Sequence, residues 1–216
     1  MFAPNKLDEY KINDEILKYR LENLNMDALY KKLLQQGKIP AGVYGEVLFK
    51  NFCDDSKGIT QKLKRKDTPK SILFKKKFTV SDIELEVSGE LTNIYENLQI
   101  LYRPAGEAKV KDKIEAGIRH LFFNYCVENN DDTLTTKFIT LSPKDYELNF
   151  NENIEEKIIE ILKLYAQGMG IPLIFMPDFS HKLIFSNNDP EETAIKSWSS
   201  DHNYDKDFYN DLVFIK

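Results

Sequence analysis

The chain has 216 residues and a mass of 25.2 kDa, enough for one compact domain with appendages that buries roughly 70% of the surface its unfolded form exposes. With 42% hydrophobic, 12% aromatic and 30% charged residues it is neither a disordered nor a collagen-like sequence. A formal net charge of -5 argues against a free-standing, high-affinity nucleic-acid binder, because phosphate contacts supply most non-specific affinity. No apolar run approaches the about 20 residues that a bilayer crossing requires. The start MFAPNKLDEYKINDE lacks the basic-then-apolar order of a secretory signal, so a cytoplasmic location away from membranes is expected. Cys53 and Cys126 have no CxxC spacing, and both are expected as buried free thiols rather than as a disulfide or metal site.

Residues from about Asp14 to Gln36 read as helical, with Ile16, Leu17, Leu21, Leu24 and then Leu29, Leu33, Leu34 on apolar faces. A break near Asn23 and Asn25 divides the segment into two helices, and Gly37 stops it. After an Ile39-Pro40-Ala41-Gly42 turn, Val43, Val47, Leu48 and Phe52 mark a further helix that continues through Cys53 toward Leu63. Between Lys57 and Lys77 nine basic residues face one acid, Asp67. Such a run is either a solvated face or strand edge, or a surface that meets phosphate through Lys62, Lys64, Arg65, Lys66, Lys75, Lys76 and Lys77.

The period then changes to that of strands. SILFKKKFTVSD, IELEVSGELTNIYE and NLQILYRP are three successive runs forming an antiparallel meander, with Ile83, Leu85, Val87 and Leu91 on one face and a tight turn at Glu96-Asn97. A long helix follows, with Val110, Ile114, Gly117, Ile118, Leu121 and Tyr125 as its predicted buried stripe and the Asn129 to Asp132 run as its end. Thr135 to Leu141 is a fourth strand, apolar at Phe138, Ile139 and Leu141. Asn153 caps a last helix carrying Ile154, Ile158, Ile161, Leu162 and Tyr165, with Gly168 at its end. From Asp178 onward eight acids face four lysines, which predicts a loosely structured tail or one that docks on something basic. The order predicts an α/β fold with a mixed central sheet flanked by helices, divided as an N-terminal helical segment (1–40), a core (41–177) and an acidic extension (178–216).

Three histidines, His120, His181 and His202, have no metal-ligand spacing, and neither GxxxxGK[ST], GxGxxG nor GxSxG is present. No cofactor and no metal are expected. The order of elements resembles the restriction-endonuclease-like PD-(D/E)xK nucleases, whose chemistry needs an acid on the second strand and an acid-x-Lys on the third to hold a divalent cation beside a lysine. At the matching positions stand Thr92, Leu101 and Arg103, and the helix entered at Gly45 has Phe49 where active relatives often place a histidine. Arginine stays charged and cannot act as a base. Glu90 is the carboxylate nearby, and a one-residue register shift would turn it from the face of Thr92. The expected active site is therefore degenerate, with no catalytic residue.

Three segments carry a closer resemblance: IPAGVYGEVLFK at 39–50, VSGELTNIYENLQILYRPA at 87–105 leading into LFFNYCV, and YAQGMGIPLIFMPD at 165–178. Here the chain is similar to the C-terminal region of the exodeoxyribonuclease V gamma subunits, the RecC subunits of the RecBCD helicase–nuclease, over about Leu7 to Val213. The resemblance implies a nuclease-like domain without catalysis that guides DNA near the duplex entry and docks on the beta and alpha subunits, RecB and RecD. It also implies a longer parent subunit with a helicase-like portion ahead, so that this sequence would be a domain or fragment whose end, DLVFIK, stops short of the family's last helix. An active metal-dependent nuclease and a free-standing protein-interaction module are the alternative readings.

Overall fold

The computed structural model describes residues 4–63, 68–127, 133–171, 176–185 and 189–198. Helix α1 (Lys6–Leu21) begins well before the predicted Asp14, because Asn5 caps it: its side-chain oxygen accepts the N–H groups of Leu7 and Asp8. Asp8 and Glu9 in the first turn and Lys18 and Arg20 in the last complement the helix dipole. Asn23 takes a left-handed φ of 53°, which turns the chain at the predicted break, and Asn25 caps α2 (Met26–Gln35) in the same manner as Asn5.

Helix α3 spans Val43–Leu63, but Val43 and Val47 of the predicted stripe are 76% and 51% exposed. Its inward face runs instead through Gly45, Phe52, Ser56, Ile59 and Leu63. Gly45 lies against the preceding turn so closely that a Cβ there would sit 1.8 Å from the Pro40 carbonyl oxygen. Phe52 joins Ile12, Ile16, Leu29, Leu33 and Ile39 in one buried helical cluster.

Strands β1 (Lys70–Val80) and β2 (Ile83–Tyr95) form a long antiparallel hairpin whose connecting residues, Ser81 and Asp82, both have positive φ. That geometry suits the twist of a two-residue loop. Ile83, predicted on the same face as Leu91, is exposed at the hairpin end. The β1–β2 register shifts between Lys70 and Ile72, with Asn93 at φ 55°, so Leu91 and Ile94 are both buried although three residues apart. The Glu96-Asn97 turn leads into β3 (Leu98–Tyr102), as predicted.

Helix α4 (Val110–Cys126) is the crossover to β4 (Thr135–Ile139), which pairs parallel with β3. A short β5 (Tyr146–Leu148), absent from the predicted set, closes a mixed five-stranded sheet of order β1-β2-β3-β4-β5. Leu141, predicted at the end of β4, lies outside it and is exposed. Helix α5 covers Ile154–Gly170, two residues past the predicted end, and two further helices, α6 (Pro177–Phe185) and α7 (Pro190–Trp198), stand where a loose tail was expected. Asn153 occupies the N-cap position of α5 in a left-handed conformation without a side-chain cap bond.

One sheet face meets α4 and α5 through Phe78, Val80, Leu91, Leu121, Phe123, Ile158 and Leu162. The other meets α1 and α3 through Ile100, Ile139, Leu17, Ile59 and Leu63. Of the predicted α4 stripe only Leu121 is fully buried, and Ile118 is exposed; the buried face runs through Asp112, Ala116, His120 and Phe123. Apolar periodicity misses that face because two of its residues are polar and find partners inside. Cys53 and Cys126 are free but only half-buried. The predicted end of α4 at 129–132, together with His202 and residues 199–216, lies outside the described residues.

Ile158 and Ile161 share helix α5 but are 1% and 37% exposed. Ile158→Ala is expected to lower the unfolding free energy by about 2–5 kcal/mol, and Ile161→Ala by less than about 1 kcal/mol, in paired urea titrations. Equal losses would contradict the packing of α5.

Candidate functional site

A cleft of about 530 Å³ opens where the bulged part of β2, the end of β3, the first half of α4 and the start of α1 meet. The bulge turns Thr92 and Asn93 into it, β3 contributes Leu101 and leads to Arg103, and α4 presents Asp112, Glu115 and Arg119 at helical spacing. Three of the four positions singled out from the sequence, Thr92, Leu101 and Arg103, are thus brought together. Phe49 is not: its ring lies 5.1 Å from that of Tyr30, in the helical cluster. Glu90 lines a neighbouring groove, and its carbonyl accepts from Arg119 at 3.5 Å.

Arg103 decides the character of the cleft. Its Nη1 donates to both carboxylate oxygens of Asp112, at 2.8 and 2.9 Å, and its guanidinium lies 5.3 Å from the centre of the Tyr10 ring. Asp112 Oδ2 also accepts the Lys109 backbone N–H at 2.9 Å, which closes the first turn of α4. Side-chain exposures of 21% and 7% leave this pair largely out of water. Both Asp112 oxygens are consequently engaged, and Thr92 and Leu101 add a hydroxyl and an alkyl chain to the wall. The remaining pair, Arg119 to Glu115 at 2.9 Å, is more exposed and contributes little to stability. Among the described residues no group of three or more His, Cys, Asp and Glu side chains is placed to hold a metal ion.

Behind the cleft runs a file of buried polar groups that sequence reasoning missed. Gln99 Nε2 donates to the Thr92 carbonyl at 3.4 Å, and Thr136 Oγ1 lies 3.4 Å from Gln99 Oε1 and 2.9 Å from His120 Nδ1. His120 Nε2 reaches the Phe150 carbonyl at 2.8 Å. Burial pushes the His120 pKa below the ordinary histidine value of 6.5, against the favourable bond to Phe150. His181, on α6, is lowered first by burial and then by Lys113, whose Nζ is 3.2 Å away. One signal was available in the sequence: Asp112, Ala116, His120 and Phe123 share a helical face as well as the apolar set does.

The structure separates the basic residues of the 57–77 segment. Lys62 donates to the Ser142 carbonyl and to Asp145, both at 2.7 Å, beside β5. Lys75, Lys76 and Lys77 lie on β1, the opposite edge of the sheet and four strand spacings away, roughly 19 Å. There Lys75 and Lys77 pair across the hairpin with Glu86 and Glu84, at 3.0 and 2.7 Å, while Lys76 lies 5.7 Å from the Tyr125 ring centre on the other face. Lys64, Arg65 and Lys66 fall outside the described residues.

Residues 1–186 match the family model of the RecC C-terminal domain, and the chain belongs to that family. It is 25% identical over 187 residues to the RecBCD enzyme subunit RecC of Buchnera aphidicola subsp. Schizaphis graminum, covering 83% of this chain and 16% of that protein. The RecC subunits of Buchnera aphidicola subsp. Acyrthosiphon pisum and Escherichia coli K12 are 24% and 19% identical, over 80% and 82% of this chain and 16% and 15% of theirs. The chain therefore spans about one sixth of the length of the curated relatives it matches. No helix among the described residues is long and apolar enough to cross a membrane.

Two measurements check the site. Asp112→Ala, which strands the Arg103 charge and opens the α4 cap, is expected to destabilise the chain by about 3–5 kcal/mol in urea unfolding. The double variant Arg103→Met/Asp112→Ala should lose less than the sum of its singles, by about 0.5–3 kcal/mol. The second is acid stability. Because the folded His120 has the lower pKa, the unfolded chain takes up the proton first; this stability is present above pH 6.5 and is lost as pH falls below it. His120→Asn should flatten that part of the curve of urea midpoint against pH, and an unchanged slope would remove His120 as its source.

Proposed function

We propose that the chain is a non-catalytic domain of the exodeoxyribonuclease V gamma subunit, with a restriction-endonuclease-like core, that guides DNA at the duplex entry and docks the beta and alpha subunits, RecB and RecD. The observation that carries this reading is the Arg103–Asp112 pair. Where a metal-dependent nuclease needs free carboxylates around a cation, this cleft has a guanidinium held by both oxygens of Asp112, beside Thr92 and Leu101. A divalent ion would have to displace an internal cation whose partner is nearly buried. Membership of the RecC C-terminal domain family supports the setting, and the division into segments 1–40, 41–177 and 178–216 belongs to the same reading.

The test has two arms. Linear duplex incubated with the purified chain and Mg²⁺ or Mn²⁺ should remain intact; cutting that is abolished by Glu90→Ala would overturn the reading in favour of an active nuclease. Affinity purification against the beta and alpha subunits should retain the chain, whereas failure of both to hold it would favour a free-standing interaction module.

A DNA-facing role for the basic segment is part of the proposal. Lys75 and Lys77 already have glutamate partners that a phosphate must displace, and Lys64, Arg65 and Lys66 belong to the same basic group. Replacing those three with Ala in the assembled enzyme should weaken duplex binding alike for all sequences. The salt-dependence slope should flatten by roughly 0.9 for each phosphate that the variant no longer neutralises. An unchanged slope would leave the segment as ordinary surface.

A further inference from the structure

The buried file between the cleft and the entrance to α5 plays no part in the proposed function. It runs from the Phe150 carbonyl through His120, Thr136 and Gln99 to the Thr92 carbonyl, and its three side chains are 0%, 1% and 0% exposed. A carbonyl oxygen can only accept, so the 2.8 Å contact to Phe150 places a proton on His120 Nε2. In a neutral imidazole Nδ1 is then bare and takes the Thr136 hydroxyl proton. A hydroxyl has one proton to give, so Gln99 Oε1 loses it. An imidazolium carries a proton on Nδ1 as well, donates it to Thr136 Oγ1, and leaves the hydroxyl proton for Gln99 Oε1.

We propose that His120, Thr136 and Gln99 form a two-state hydrogen-bond relay, in which the protonation of His120 decides whether Gln99, and through it the cleft strand at Thr92, is held from one side or from both. In the protonated state every link donates in one direction, from the imidazole to the Thr92 carbonyl. Each group in the file then has a partner.

The surroundings fix where the relay switches. β4 presents Thr136, β3 presents Gln99 and the segment before α5 presents Phe150, none of which titrates. On α4 the Asn124 amide, 3.2 Å from Nε2, donates to the His120 carbonyl at 2.9 Å. The charged group that bears on the ring is Lys157, 4.6 Å from the centre of the Phe150 ring. Burial opposes the imidazolium most, the Phe150 bond favours it and Lys157 opposes it, so the change falls on the acid side of the ordinary histidine range.

Nuclear magnetic resonance of the isotope-labelled 216-residue chain reads both states. On titration from about pH 7.5 to about pH 4.5, the His120 ring nitrogens should pass from the Nε2–H pattern to that of an imidazolium. The Gln99 side-chain amide and the backbone amides of Thr92 and Asn93 should shift with the same midpoint. Thr136→Val, which has no hydroxyl, should leave His120 titrating and abolish the shift at Gln99; Thr136→Ser should retain it. A stationary Gln99 while His120 titrates, an equal Gln99 shift in Thr136→Val, or unfolding before His120 is charged would each overturn the relay. Should the valine variant fail to fold, the wild-type titration alone decides between a moving and a stationary Gln99.

Discussion

Strand β3 is enclosed on every side: β2 and β4 flank it, and Gln99, Ile100 and Leu101 in succession are buried against helices above and below. A strand in that position cannot follow the alternation of a half-solvated sheet. Ile100 must satisfy the α1–α3 layer while Leu101 faces Ala116 and Phe138 on the α4 side. Gln99 is accommodated there because polar partners flank its amide: Nε2 donates to the Thr92 carbonyl, and Oε1 lies 3.4 Å from the Thr136 hydroxyl. The two helical layers, the parallel join to β4 and the depth of the cleft all follow from holding this one strand at the centre.

At the end of β3 that enclosure gives way to charge. Arg103 extends the pairing with β4, its N–H donating to the Ile139 carbonyl at 3.0 Å, and its side chain then crosses to the first turn of α4. One guanidinium thus fastens the sheet to its crossover helix and fills the cleft wall, with α1 supplying the Tyr10 ring against it. A buried pair of this kind adds little net stability over apolar packing, yet its loss from one side only is severe. Its consequence is geometric: it fixes how far α4 stands from β3 at the mouth of the cleft.

The meander, the Glu96-Asn97 turn, the break between the first two helices and four core positions, Leu121, Ile139, Ile158 and Leu162, were legible because apolar periodicity or turn chemistry carries them. Thr92, Leu101 and Arg103, which line one cleft, are the positions that the resemblance to the PD-(D/E)xK nucleases singled out. What escaped has one cause. The inner face of α4 is built on Asp112 and His120, whose burial depends on partners distant in sequence, and a pattern of apolar residues cannot register them. The same limit hid the separation of the lysines. Among the described residues of the run, Lys62, Lys75 and Lys77 become individually paired once Asp145, Glu86 and Glu84 are placed beside them. Short elements such as β5 lie below the length at which period can be read.

The contact between Gly45 and the Pro40 carbonyl constrains more than one position. Since the first atom of any side chain at position 45 would fall 1.8 Å from that oxygen, a substitution would demand a rerouted turn between α2 and α3 rather than a local adjustment. That steric veto ties the route of the turn to the direction in which α3 leaves it, and so to the place of Phe52 in the cluster with α1 and α2.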